Sequence, residues 1–502
     1  MKKYIIISLI TLSLAGCKKE LEVVNPNVIT TETFWKNDAD FQSALAATYK
    51  VFRDVNNGYW GVRGVELTNG RGDDFFIRND VQALYQLSTF TNTPSTGTPS
   101  SIFQGAYTGI FRANQIIENA QTAPISEESK KQYTAEAQFI RALNYFHLAI
   151  NFGNVPIITT VPTDKSQYFQ PSSPEAQVWQ QIISDFTAAK EGLPESYDEK
   201  WVGRATKGAA IGYLGKAYLY NERWADAENE FKLLMSAPFQ YDLRPNFADN
   251  FRPEFDNNEE SVFEIQLQNV GGVQPWAGEN ANEALGVTTA QEFAPTEVAG
   301  WFEVSPTDTM FVEFEKEKTI TGDYDPRMYA SIVWDYPGAM YYNRPFKEFK
   351  LVFGYQSMIR KYQNWWNDNE QPNGNYISEI NEKAMRFADV LLMYAEALTM
   401  QGKVVEATAP VNRVRDRANL AELPATYSQD EMMAEIRHQR MIELFREGHR
   451  FYDLKRWGLL EQEIKNSDKV GREFFDPARH AYFPIPQNEL NTNPNIEQNP
   501  GW

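Results

Sequence analysis

Apolar residues recur at three- and four-residue spacing through both halves of the chain, the mark of helices buried along one face. The spacing predicts helices over 38–53 and 101–120, then 128–151 and 175–191, then 207–221 and 224–235. The pattern returns over 385–400 and 404–418, with Gly402 at the turn. It appears again over 429–447, where Met433, Ile436, Met441 and Leu444 share a side and Gly448 ends the helix. Residues 240–380 are different in character, rich in Gly, Pro, Asn and aromatics. Within them Ser261 to Gln268 alternates: Phe263, Ile265 and Leu267 face one way, Glu264 and Gln266 the other. That predicts a half-buried strand. Gln356 to Tyr362 reads as a second. The rest reads as long ordered loop, and loops of that length inside a domain usually carry function. Residues 55–100 form another loop-rich stretch with a Thr/Pro/Ser/Gly tip, and Tyr482-Phe483-Pro484-Ile485-Pro486 is extended because proline disfavours helix.

The helices fall into pairs, and one pair carries a repeat signature. Leu214-Gly215 followed by Tyr218 matches the first-helix core of a tetratricopeptide repeat, and Ala227 followed by Phe231 matches its second. A small residue lets two helices approach, and the aromatic fills the groove beside it. Three pairs precede residue 240 and the fourth follows 384, so the chain is not a simple solenoid.

The N-terminus bears on the compartment. Lys2 and Lys3 precede a short apolar stretch, Tyr4 to Leu14, and then Leu14-Ala15-Gly16-Cys17. Small residues before a cleavage point mark a secretory signal, and a Cys directly after them is the bacterial lipobox. Residues 1–16 are expected to be a signal peptide, 17–32 a lipid-anchored tether, and 33–502 a single domain. The chain has one Cys, that of the lipobox, so the mature protein rests on its core rather than on disulfides. Losing Lys2 and Lys3 with the signal takes the formal charge from -19 to -21. That acidity argues against nucleic acid or anionic lipid as a partner. Membrane contact is expected from acyl chains on Cys17, each buried CH₂ contributing about 0.8 kcal/mol.

The C-terminal part resembles a known family. The run from Arg440 to Gly458, including Phe445-Arg446-Glu447-Gly448-His449-Arg450-Phe451-Tyr452-Asp453, is similar to the C-terminal signature of the SusD/RagB family. So are Phe483-Pro484-Ile485-Pro486 and the ending Gln498-Asn499-Pro500-Gly501-Trp502. Arg141-Ala142-Leu143 with Phe152-Gly153-Asn154-Val155-Pro156, the helix Ala388 to Ala397, Asp323-Tyr324-Asp325-Pro326-Arg327 and Arg360-Lys361-Tyr362 fit as well. The resemblance implies a mainly α, SusD-like fold: four tetratricopeptide-like helix pairs over about 38–236 and 384–447, with a loop-rich, partly β region over about 240–380. It also implies a surface lipoprotein of the outer membrane that binds glycan, or in some relatives peptide. Its expected partner is a SusC-like TonB-dependent transporter. It implies no catalysis and no cofactor, and it does not carry the ligand.

The chemistry of the residues agrees with a binding role. The four histidines, His147, His438, His449 and His480, have no metal-ligand spacing, and no nucleophile or phosphate-loop motif occurs. The alternating charges Glu443, Arg446, Glu447, His449, Arg450, Asp453 and Arg456 read as an ion-pair network that locks the last helix to the bundle. A secreted glycosidase would need two carboxylates across a cleft, and in so acidic a chain such a pair can always be proposed. Trp179 and Trp224 fall on helical repeats and read as core. Trp60, Trp276, Trp301 and Trp334 lie in loop-rich segments, where a flat ring can meet the apolar face of a sugar. With Asp73 and Asp74 as acceptors for sugar hydroxyls, these are the expected ligand contacts. The competing reading is that each loop aromatic anchors its own loop and that the Asp pair makes a turn.

Overall fold

The computed structural model describes residues 34–54, 58–61, 64–270, 285–363 and 377–502. Helices dominate, and they pair as the periodicity predicts. Asp38–Tyr49 lies against Gly97–Thr122, and Glu127–Phe152 packs against Glu175–Gly192. Lys207–Tyr220 follows with Trp224–Leu233, and Phe387–Met400 with Val404–Arg417. Their ends carry ordinary caps. The Thr206 hydroxyl accepts from the Ala209 N–H, and Ser428 and Glu431 form a capping box at the start of Gln429–Glu443.

The third pair explains the repeat signature. Phe231 is fully buried, and its ring lies so close to Gly215 that a Cβ there would come within 2.6 Å of it. Only glycine lets the two helices close over that ring. The fourth pair stacks on the third: Phe387–Met400 packs on Trp224–Leu233. The bundle is therefore continuous in space although some 150 residues intervene in sequence. Strand β2 (Ser261–Ile265) pairs antiparallel with β8 (Glu382–Arg386), which runs directly into the fourth pair and so clamps both ends of the insertion to the bundle.

The remaining small sheets lie in the insertion, one of them completed by a strand from residues 64–88. Strand β1 (Phe75–Ile77) pairs with β3 (Val304–Pro306), β4 (Ile332–Trp334) with β7 (Ser357–Ile359), and β5 (Met340–Tyr341) with β6 (Arg344–Pro345), all antiparallel. The Ser305 hydroxyl donates to the Ser357 carbonyl and links the first two sheets. One apolar cluster, with Phe75, Val304, Ile332 and Trp334, rests on Met441, Ile442 and Phe445. A second, with Phe302, Val333 and Tyr341, lies on the other face of β4.

Several expectations need correction. Residues 64–88 are not mere loop but hold helix Gly64–Gly70, β1 and helix Gln82–Ser88. Met385 belongs to β8 rather than to a helix. The helix expected over 429–447 ends at Glu443, and Arg446 turns left-handed (φ 67°) as its side chain reaches Glu382. Glu264 does not face solvent: it is buried and lies 2.9 Å from Lys383, because β8 covers that side of β2. The signal, the lipobox Cys17 and the tether lie outside the described residues. Among the described residues, no helix is long and apolar enough to cross a membrane.

Candidate ligand-binding surface

The pairing of β1 with β3 brings the first loop region against the second. Along β1, Phe75 and Ile77 turn into the core and Phe76 turns out, half-buried, as the period of a strand requires. The Phe76 ring meets Phe353 at 4.8 Å and Tyr355 at 5.4 Å between centroids. Phe353 in turn meets Phe302 at 4.9 Å. Beside Phe353, Leu351 and Val352 are 40% and 59% exposed.

Charged groups edge this apolar surface. Arg78 N–H donates to the Glu303 carbonyl at 2.7 Å, continuing the strand ladder. Its guanidinium forks onto Asp80 at 2.5 and 2.6 Å and donates to the Trp301 carbonyl at 2.6 Å. The hydrogen bonds from Arg78 hold the Asp80 carboxyl below its ordinary range. Trp301 itself is half-buried at the tip of a tight turn. Ala299 and Phe302 are both left-handed (φ 62° and 50°), and a Cβ at Gly300 would come within 2.0 Å of the Ala294 carbonyl oxygen. The strand beneath is held from the C-terminal part. The buried Lys469 amine donates to the carbonyls of Gly70 and Phe75 and to the Ser88 hydroxyl. Half-open rings with a guanidinium and a carboxylate at their edge can take an apolar sugar face and its hydroxyls together.

Of the residues expected at a ligand site, Trp301 is the one that stays partly open, and its backbone carbonyl accepts from Arg78 at the edge of this surface. Trp60 is 8% exposed and packs edge-on against Phe52 and His147, so it presents no platform. Trp334 is 5% exposed, between Phe311 and Tyr329. Asp73 is fully buried and bonded to Arg450. Asp74 is buried beside it, and burial with the neighbouring Asp73 charge pushes its carboxyl up to about 7. Those four are corrected from ligand contacts to interior residues. Trp276 lies outside the described residues, as do Trp365 and Trp366. Phe76, Arg78 and Phe353 were not anticipated. The available signal is the apolar run Phe75-Phe76-Ile77, which has no polar alternation and is too short to stand out.

Comparison with known proteins accounts for the whole chain. Residues 259–502 match the model of the SusD family. Residues 21–219 match a second, described as starch-binding associating with outer membrane. A crystal structure of a SusD superfamily protein from Bacteroides vulgatus is 36% identical and superposes with a TM-score of 0.86, covering 94% of this chain and all of that one. The chain belongs to the SusD family. A SusD-like protein of Formosa agariphila is 29% identical over the full length of both. A laminarin-binding SusD-like protein, 26% identical, superposes with a TM-score of 0.77 over 93% of this chain and all of that one.

The SusD signature between Arg440 and Gly458 is an internal ion-pair lattice. Arg440 reaches Asp389 at 2.7 Å and Asp453 at 2.8 Å, and Arg456 pairs with Glu396 and Asp453. Glu443 accepts from Arg327, Arg386 and Arg417. Burial opposes its charge, but these three guanidiniums hold the carboxyl well below the usual range. His449 is pushed down to about 4 by burial and by Lys216, so it is neutral at physiological pH. Outside this lattice, Glu66, Glu292 and Glu303 bring carboxylate oxygens within 4.8 Å of one another in the interior, and each has a further partner.

Proposed function

We propose that this SusD-family protein binds oligosaccharide on the surface made by Phe76, Trp301 and Phe353, with Arg78 and Asp80 at its edge. The observation that carries this reading is the convergence of half-open rings from both halves of the chain beside a guanidinium and a carboxylate. The starch-binding description of the family model and the laminarin-binding relative support a sugar as ligand. On this reading the protein is a binding protein and not an enzyme. Lipid on Cys17 holds it at the outer membrane, and it passes the sugar to a SusC-like TonB-dependent transporter. Palmitate labelling that disappears in Cys17→Ser checks the anchor. A glycan array probed with the mature chain tests the ligand class. Binding to one family of glycans, without turnover of it, is expected. Binding to peptides and to no glycan would contradict the proposal.

A further inference from the structure

A second aromatic cluster lies at the end of β4. Tyr324, Tyr329 and Tyr336 are each half-exposed and gather around Trp334. Tyr329 stacks on the indole at 5.3 Å and 24°, Tyr336 lies 4.6 Å from it, and Tyr324 meets it edge-on at 5.2 Å. Trp334 belongs to the apolar cluster resting on Phe311, whereas Phe353 packs with Val333 on the other face of β4. The three tyrosines cover the indole, which is 5% exposed, and remain partly exposed themselves.

Their polar atoms point to what the layer takes. The Tyr329 hydroxyl donates to exposed Asp323 at 3.0 Å, and the Tyr336 hydroxyl accepts from Arg360 at 3.5 Å. The exposed Lys318 amine stands 2.9 Å from the Tyr324 ring centre. Phenol rings fixed on a rigid indole, with a carboxylate and an amine beside them, offer both halves of sugar recognition: a flat apolar face and groups for hydroxyls.

We infer that Tyr324, Tyr329 and Tyr336 form a second carbohydrate contact, which takes the apolar face of a pyranose in a chain already held at the Trp301 surface. The inference rests on the oligosaccharide reading above. Two contacts on one molecule raise avidity through effective concentration, but only for chains long enough to reach both. Long glycans therefore bind more tightly than short ones, and the tyrosines carry that difference.

The test uses the mature chain and a panel of laminarin, starch and xylan, with oligosaccharides cut from each. Calorimetry compares the parent with Tyr324→Ala/Tyr336→Ala and with Trp301→Ala. Hydrogen exchange on the parent reports which segments each glycan protects. The expected result is protection of 323–336 by polymer. The double variant is then expected to lose roughly tenfold in affinity for polymer while its affinity for short oligosaccharide stays at the parent value. Protection confined to the Trp301 surface, or a folded double variant with unchanged polymer affinity, overturns this inference alone. Failure of the parent to bind any glycan overturns the oligosaccharide reading and this inference with it.

Discussion

Arg450 and Asp73 meet in a two-bond fork, at 2.7 and 2.6 Å, although 377 positions separate them. The carboxylate is fully buried and the guanidinium nearly so. The fork fastens the turn before β1 to the C-terminal signature, and β1 is the strand that presents Phe76. Removing Asp73 leaves Arg450 charged and nearly buried with the longer 3.8 Å contact to Glu463 in its place. Asp73→Ala should therefore cost about 3–5 kcal/mol. Replacing both partners, as in Asp73→Leu/Arg450→Met, should cost less than the single change. Denaturant titration of the three proteins checks this, and a single change within 1 kcal/mol or so of the parent would show the pair to be incidental.

Asp74, next along the chain, gives a pH signature. Its folded carboxyl lies at about 7 against an ordinary value of 3.8, raised first by burial and then by the Asp73 charge. The folded protein holds a proton there that the unfolded chain releases as pH rises above about 4. That contribution to stability is fully present below 3.8 and is lost as pH climbs through about 7. Asp74→Asn copies the protonated acid in shape and hydrogen bonding. The variant should match the parent near pH 4 and exceed it in stability above pH 7. Unfolding midpoints measured across that range test the sign; a variant less stable than the parent at high pH would reverse it.

Phe231→Ala tests the fold. The side chain is fully buried against Gly215, so truncation should cost about 3–5 kcal/mol. A denaturation midpoint close to that of the parent would mean that the third helix pair does not close as described.

The helix pairs were legible because their signal is local. Leu214, Gly215, Tyr218, Ala227 and Phe231 sit at spacings that only a packed helix pair explains, and the packing partner is a few residues away. The ligand surface was less legible because burial of a loop residue is decided far off in sequence. The Gly-rich segment around Asp73 and Asp74 has the composition of a solvated turn. It is interior because Arg450 and Lys469 arrive from the other end of the chain. Trp60 and Trp334 look like loop aromatics for the same reason, and they are anchors because His147 and Phe311 close on them. Trp301 is half-buried in the tight turn after Gly300.

The central claim is that oligosaccharide sits on the rings of Trp301 and Phe353. Isothermal titration calorimetry with the tightest ligand from the glycan array, on the mature chain and on Trp301→Ala and Phe353→Ala, tests it most directly. Circular dichroism on each variant checks that the fold is intact. A true platform should lose about 2 kcal/mol on truncation, roughly a 30-fold weakening. If both folded variants bind with the affinity of the parent, the ligand does not lie on this surface.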